Sequence, residues 1–79
     1  MNILNRIDNY LYDREYKIIL NDKSINIINY SEIIDFSLNQ IKVKINTKIL
    51  IITGINLSIN KMQDNEILIT GETSSIIIK

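Results

Sequence analysis

From Lys17 onward, apolar and polar residues alternate with a period of two. Ile41-Lys42-Val43-Lys44-Ile45 sets aliphatics on one face and lysines on the other. Asp35-Phe36-Ser37-Leu38-Asn39 and Ile55-Asn56-Leu57-Ser58-Ile59-Asn60 repeat the pattern. Successive side chains of a strand point to opposite faces, so this is the signature of half-buried β-strands. Between the runs stand Asn21-Asp22-Lys23, Tyr30-Ser31, Asn39-Gln40, Asn46-Thr47, Gly54, Asp64-Asn65 and Gly71. Asn and Asp bond their own backbone and tolerate positive φ, and Gly reaches it freely. The pattern predicts seven strands, near 16–21, 24–29, 33–39, 41–46, 48–53, 55–61 and 66–78, with Gly71 as a break point in the last. Connections this short make sequence neighbours antiparallel, as in a meander of hairpins. Ser37 and Gln40 have the spacing of a helix capping box, but the alternation around them favours a strand.

Two stretches depart from the alternation. Ile49–Ile52 and Ile67–Ile69 are apolar on both faces, as in strands covered on both sides. A second sheet, a helix or another subunit must then supply cover. The fold class expected is all-β, a small antiparallel β-sandwich. The first residues read differently. Ile3, Ile7 and Leu11 recur at i, i+4 and i+8, which is one helical stripe, and Asn2 is a candidate cap. The organisation expected is a short N-terminal helix or extension over 1–15 and a β-sandwich domain over 16–79. The stripe is expected to pack on the sheet, because its polar face has mixed charge rather than the basic face of a membrane-surface helix.

Composition sharpens this by exclusion. The chain has 79 residues, of which 21 are Ile and 11 are Asn, and it lacks Ala, Pro, Cys, His and Trp. One domain is expected, held by its aliphatic core and without disulfides. Formal net charge is zero, from 9 bases and 9 acids, which argues against a nucleic-acid binder. No apolar run approaches the ~20 residues of a membrane span, and the N-terminus lacks the apolar stretch of a signal peptide.

Little catalytic chemistry remains. Without His or Cys, the usual triads, thiol nucleophiles and zinc sites are absent, and no cofactor or metal is implied. Gly54 and Gly71 lie too far apart for a phosphate-cradling loop. Asp64 and Glu66 flank a turn, and Glu32 and Asp35 sit near a strand start, where acids are ordinarily solvated. Two acids converging in a pocket are what carboxylate catalysis needs, so the expectation is that this is not an enzyme. Lys42, Lys44 and Lys48 read as a solvated outer face that deters edge pairing. Tyr10, Tyr12, Tyr16 and Tyr30 read as boundary residues between helix and sheet, with stacking on a ligand as the sharper alternative.

The segments with most physical content are Ile49–Ile52 and Ser75–Lys79, which are β-forming, nearly uncharged and free of Pro. Such segments pair with another chain if left at an edge. Ile76-Ile77-Ile78 has no following strand, so two readings compete. One is an edge used for homo-oligomerisation or strand addition by a partner; the other is a short edge blunted by Lys79.

Leu50-Ile51-Ile52-Thr53-Gly54-Ile55-Asn56-Leu57-Ser58-Ile59, followed by Glu66-Ile67-Leu68-Ile69-Thr70-Gly71-Glu72-Thr73-Ser74-Ser75-Ile76, resembles the YabP/YqfC family of sporulation proteins. The resemblance runs from about Tyr16 to Lys79. The pattern is an aliphatic run ending in Gly, an alternating strand, an acidic turn, and a second aliphatic run into Gly-x-x-Ser-x-Ile. The 17-residue separation of Gly54 and Gly71 resembles the YqfC-like branch. The chain departs from the pattern at Ile45-Asn46-Thr47-Lys48, where Asn46 must close a hairpin that elsewhere has Gly, and at Thr73, where an aliphatic is expected. It also lacks the basic start and the Pro before the first strand that YqfC-like proteins often carry.

The resemblance implies an all-β sandwich with a non-catalytic role in spore envelope assembly. It implies location in the mother-cell cytoplasm and a sporulation membrane protein as partner. The residues that carry the pattern and a candidate interface are Gly54, Leu57, Ile59, Gly71, Ser74, Ile76, Ile77 and Ile78. The competing reading is a small glycan-binding module using the tyrosines with Asn26, Asn56 and Asn60. It requires a concave surface that exposes at least two aromatic rings.

Overall fold

A computed structural model describes residues 15–79. The helix expected over 1–15 therefore lies, apart from Glu15, outside the described residues. The rest is all β: β1 (Lys17–Leu20), β2 (Ser24–Ile28), β3 (Glu32–Phe36), β4 (Gln40–Ile45), β5 (Lys48–Gln63) and β6 (Glu66–Ile78). Six strands replace the seven expected, because the runs 48–53 and 55–61 form one strand that continues through Gly54. β6 likewise continues through Gly71. Asn46 closes the β4–β5 hairpin at φ 53°, as the missing turn glycine required.

The strands form one antiparallel sheet in the order β1-β2-β6-β5-β4-β3. The meander holds from β3 to β6 but not before it, since β2 pairs with β6 rather than β3. The long β5–β6 hairpin carries two layers. β4 pairs with Lys48–Thr53 of β5, whose other side meets the end of β6. β2 pairs with Glu66–Thr70 of β6, whose other side meets the end of β5.

These layers fold onto each other. In sheet order β3 lies four positions from β2, about 19 Å in a flat sheet. The link between them is only Asn29–Ser31, four Cα steps or about 14 Å fully stretched from Ile28 to Glu32. The sheet must therefore curl. Asn29 turns the chain at φ 63°, its N–H donates to the Asn65 carbonyl, and the Ser31 N–H donates to the Lys44 carbonyl. The link thus bonds to both layers. The Asn65 side-chain amide donates to Asn29 Oδ1, and Asn29 Nδ2 donates to the Glu15 carbonyl at 2.8 Å.

Both layers of the expected sandwich come from this one curled sheet. Ile25 and Ile27 of β2 share a core with Ile41, Val43 and Ile45 of β4, joined by Leu50, Ile52, Leu57, Ile67 and Ile69. Burying one such side chain stabilises by about 2 kcal/mol, and among the described residues no buried side chain is polar. The double-sided cover expected for 49–52 is only half present among the described residues. Leu50 and Ile52 are buried inward, but Ile51 is half-buried and Ile49 is 37% exposed on the outer face.

Candidate functional site: a glycine crossing and an open edge

The two glycines that echo each other in sequence meet in space, where β5 and β6 bend together. A Cβ on Gly54 would overlap the Glu72 carbonyl oxygen and lie 2.9 Å from Leu57 Cδ2. A Cβ on Gly71, which sits at φ 123°, would lie 2.6 Å from the Asn56 carbonyl oxygen. Each glycine lets the opposite backbone approach. The register shifts after Thr53 and again between Ile55 and Ser58, with Asn56 at φ 53°. Extra residues in one strand of a pair bend it and strengthen its twist. Here they turn Leu57 into the core.

The bend is held from outside by the β3–β4 turn. The Gly54 N–H donates to the Asn39 carbonyl and the Leu57 N–H to the Leu38 carbonyl, both at 2.9 Å. Ser37 shapes that turn: its hydroxyl oxygen accepts the N–H of Gln40 at 3.0 Å and of Asn39 at 3.3 Å. The side-chain-to-backbone bond that suggested a helix cap closes a turn instead. On the far side of the bend the hydroxyls of Ser58 and Thr70 bond at 2.7 Å, and the Ser74 hydroxyl donates to the Thr53 carbonyl at 3.0 Å.

Beyond the bend, β6 becomes an edge. Ser75–Ile78 pairs with Thr53–Leu50 without a register shift, and Ile49 and Lys79 exchange two backbone bonds at 2.9 and 3.0 Å. Alternate residues of an antiparallel strand aim their backbone groups to opposite sides. Ser75, Ile77 and Lys79 therefore face β5, and Ile76 and Ile78 turn N–H and C=O outward. β2 ends opposite Thr70, so no described strand meets those groups. An open groove of about 1080 Å³ runs beside the bend, between Thr70–Ile76 of β6 and the β1–β2 turn. Ile76 is half-buried, and Ile77 and Ile78 are each 46% exposed.

The residues singled out from sequence thus fall into two groups. Gly54, Leu57 and Gly71 come together at the bend. Ser74, Ile76, Ile77 and Ile78 run along the edge, and Ile59 lies half-buried against the core. The Ile76–Ile78 strand does have a partner, β5, on one side; its openness is on the other. Sequence reading missed Asn56 as a positive-φ residue, because it sits in an apparently unbroken alternation. It also missed the Leu38 and Asn39 carbonyls as clamps.

The aromatic surface of the glycan reading does not form among the described residues. Tyr16 and Tyr30 are half-buried and pack against the core, while Tyr10 and Tyr12 lie outside those residues. Asn26 donates to Glu66 Oε2 at 3.0 Å, bridging β2 and β6. Among the described residues, no three His, Cys, Asp or Glu side chains are grouped to hold a metal, and no helix is long and apolar enough to cross a membrane.

The model of the YabP family matches residues 13–79. No curated protein and no solved structure matches the chain.

Proposed function

The chain belongs to the YabP family, which associates it with sporulation, and from that premise we propose that it acts in spore envelope assembly by contact rather than by chemistry. Its partner is a membrane protein of the sporulating mother cell, and the chain lies in the cytoplasm, held at the membrane through that partner. The 17-residue separation of Gly54 and Gly71 favours the YqfC-like branch of the family. The observation that supports the contact reading most is the open β6 edge, where the backbone groups of Ile76 and Ile78 meet no strand among the described residues and are flanked by exposed isoleucine. Exposed Ile49 and Ile77 beside this edge give a partner apolar surface to cover.

Affinity purification of the tagged chain from sporulating cells tests the proposal. The expected result is co-purification of a membrane protein, lost in a variant with charge at the edge, Ile77→Lys. Recovery of no membrane protein, with sporulation unaffected by deletion of the gene, would sink it. A fluorescent fusion checks the location: a signal at the mother-cell membrane that becomes diffuse when the partner is deleted is expected.

A further inference from the structure

Among the described residues the curled sheet has four open edges, and three are guarded. β3 carries Glu32 and Asp35 and has a register shift between Ile33 and Asp35. β1 has four residues and begins with Lys17. The later part of β5 carries Lys61 and shifts register between Lys61 and Gln63. Charge, shortness and bulges are the devices that keep sheet edges from pairing with other chains. The end of β6 is guarded least: Thr73–Ile78 holds no charge, although its unshifted run, Ser75–Ile78, is short and follows an extra residue at Ser74.

We propose that this edge pairs with the same edge of a second copy of the chain, antiparallel about a two-fold axis at Ile76. The inference rests on reading the molecule as one that works by contact; it gives this edge to a second copy and leaves the exposed outer-face isoleucines Ile49 and Ile77 to the membrane partner. Ile76 and Ile78 each present a donor and an acceptor on the open side, so two copies satisfy each other. Uncharged residues meet uncharged residues, and no like charges are set opposite one another. Glu72 and Lys79 bracket the segment, and antiparallel pairing brings the Glu72 end of one copy towards the Lys79 end of the other. Parallel pairing would stack Lys79 on Lys79.

The product is a continuous eight-stranded sheet, β3-β4-β5-β6 followed by the same four strands in reverse. On its outer face the stripe of exposed Ile49 and Ile77 and half-buried Ile51 meets its counterpart across the junction. The pairing segments are short, well below the buried area of an obligate dimer, so association is concentration-dependent. In the two-fold arrangement a closed dimer forms rather than a fibre.

Cysteine scanning of the full chain tests this, because the natural sequence has no cysteine and one substitution reports one place. Ile76→Cys is expected to give a disulfide-linked dimer on mild oxidation, since Cα atoms of a hydrogen-bonded antiparallel pair stand within disulfide reach. Ile34→Cys, on the guarded β3 edge, is expected to stay monomeric. In sedimentation velocity the natural chain approaches twice its monomer mass as concentration rises. Ile78→Pro removes only an outward N–H, so it is expected to keep its strand circular dichroism while dimer affinity falls tenfold or more.

A monomer at every concentration would overturn the proposal, as would equal cross-linking at Ile34 and Ile76 or unchanged dimerisation of Ile78→Pro. Amide exchange separates a further case. Protection of Ile76 and Ile78 that grows with concentration supports self-pairing. Protection independent of concentration assigns the edge to residues 1–14 of the same chain and overturns it. A monomeric result leaves the sporulation reading standing, because that reading is scored by the partner recovered from cells.

Discussion

Within a few residues, β6 passes from its most constrained surroundings to its least. At Gly71 the strand lies so close to β5 that no side chain fits, and carbonyls of the β3–β4 turn clamp the opposite bend. Towards Ile78 half the backbone groups have no described partner, and the Ile78 side chain is 46% exposed. The same few residue types serve both places. What separates them is whether neighbouring elements converge, so the bend should govern folding and the edge should govern association.

The hardest blow to that division is Gly54→Ala. Its Cβ overlaps a backbone oxygen rather than a movable side chain, so the two strands must separate. A loss of about 4 kcal/mol is expected, most of the stability of so small a domain. A thermal melt monitored by far-ultraviolet circular dichroism measures it, and a native-like melt would break the comparison. Leu57→Ala empties a fully buried site and should cost about 3 kcal/mol. That lowers the melting midpoint by roughly 15 °C, without changing the monomer–dimer balance of the folded fraction.

Smaller effects sharpen the division. Asn29→Ala removes side-chain bonds to Asn65 and Glu15 and puts a less tolerant residue at φ 63°. About 1–2 kcal/mol of destabilisation in urea unfolding is expected. At the edge, Ile77→Lys should change stability by no more than about 0.5 kcal/mol, since the side chain is 46% exposed. Its effect belongs in sedimentation, as weakened self-association. A large drop in its urea midpoint would mean that edge and core are one unit.

Local features were legible because they rest on local rules. Alternation marked Ile41, Val43 and Ile45 as an inward face, and all three are buried. Asn46 was required to close its hairpin and does so at positive φ. Gly54 misled in an instructive way. A glycine between two alternating runs reads as a turn, but here it lets β5 continue through a tight crossing, and the partner that makes it tight, Glu72, is remote in sequence. The β2–β6 pairing was illegible for the same reason, since nothing in Ser24–Ile28 distinguishes β6 from β3 as neighbour. The outer cover expected for Ile49 and Ile51 reflects a limit of pattern reading: apolar residues on both faces show that a surface is sticky, not what meets it.

The short link Asn29–Ser31 also has a consequence in time. The hairpins from β3 to β6 close over a few residues each, and loop closure of that kind is fast. The β1–β2 hairpin joins β6 only through pairs far apart in the chain, such as Asn26 with Glu66, 40 residues on. Those contacts carry the greatest loop-closure entropy, which falls once β5 and β6 have met and shortened the effective loop. Refolding should therefore proceed by a four-stranded platform onto which the first hairpin docks last. Mutations in β2, such as Ile27→Val, should mainly speed unfolding, while Ile52→Val should mainly slow folding.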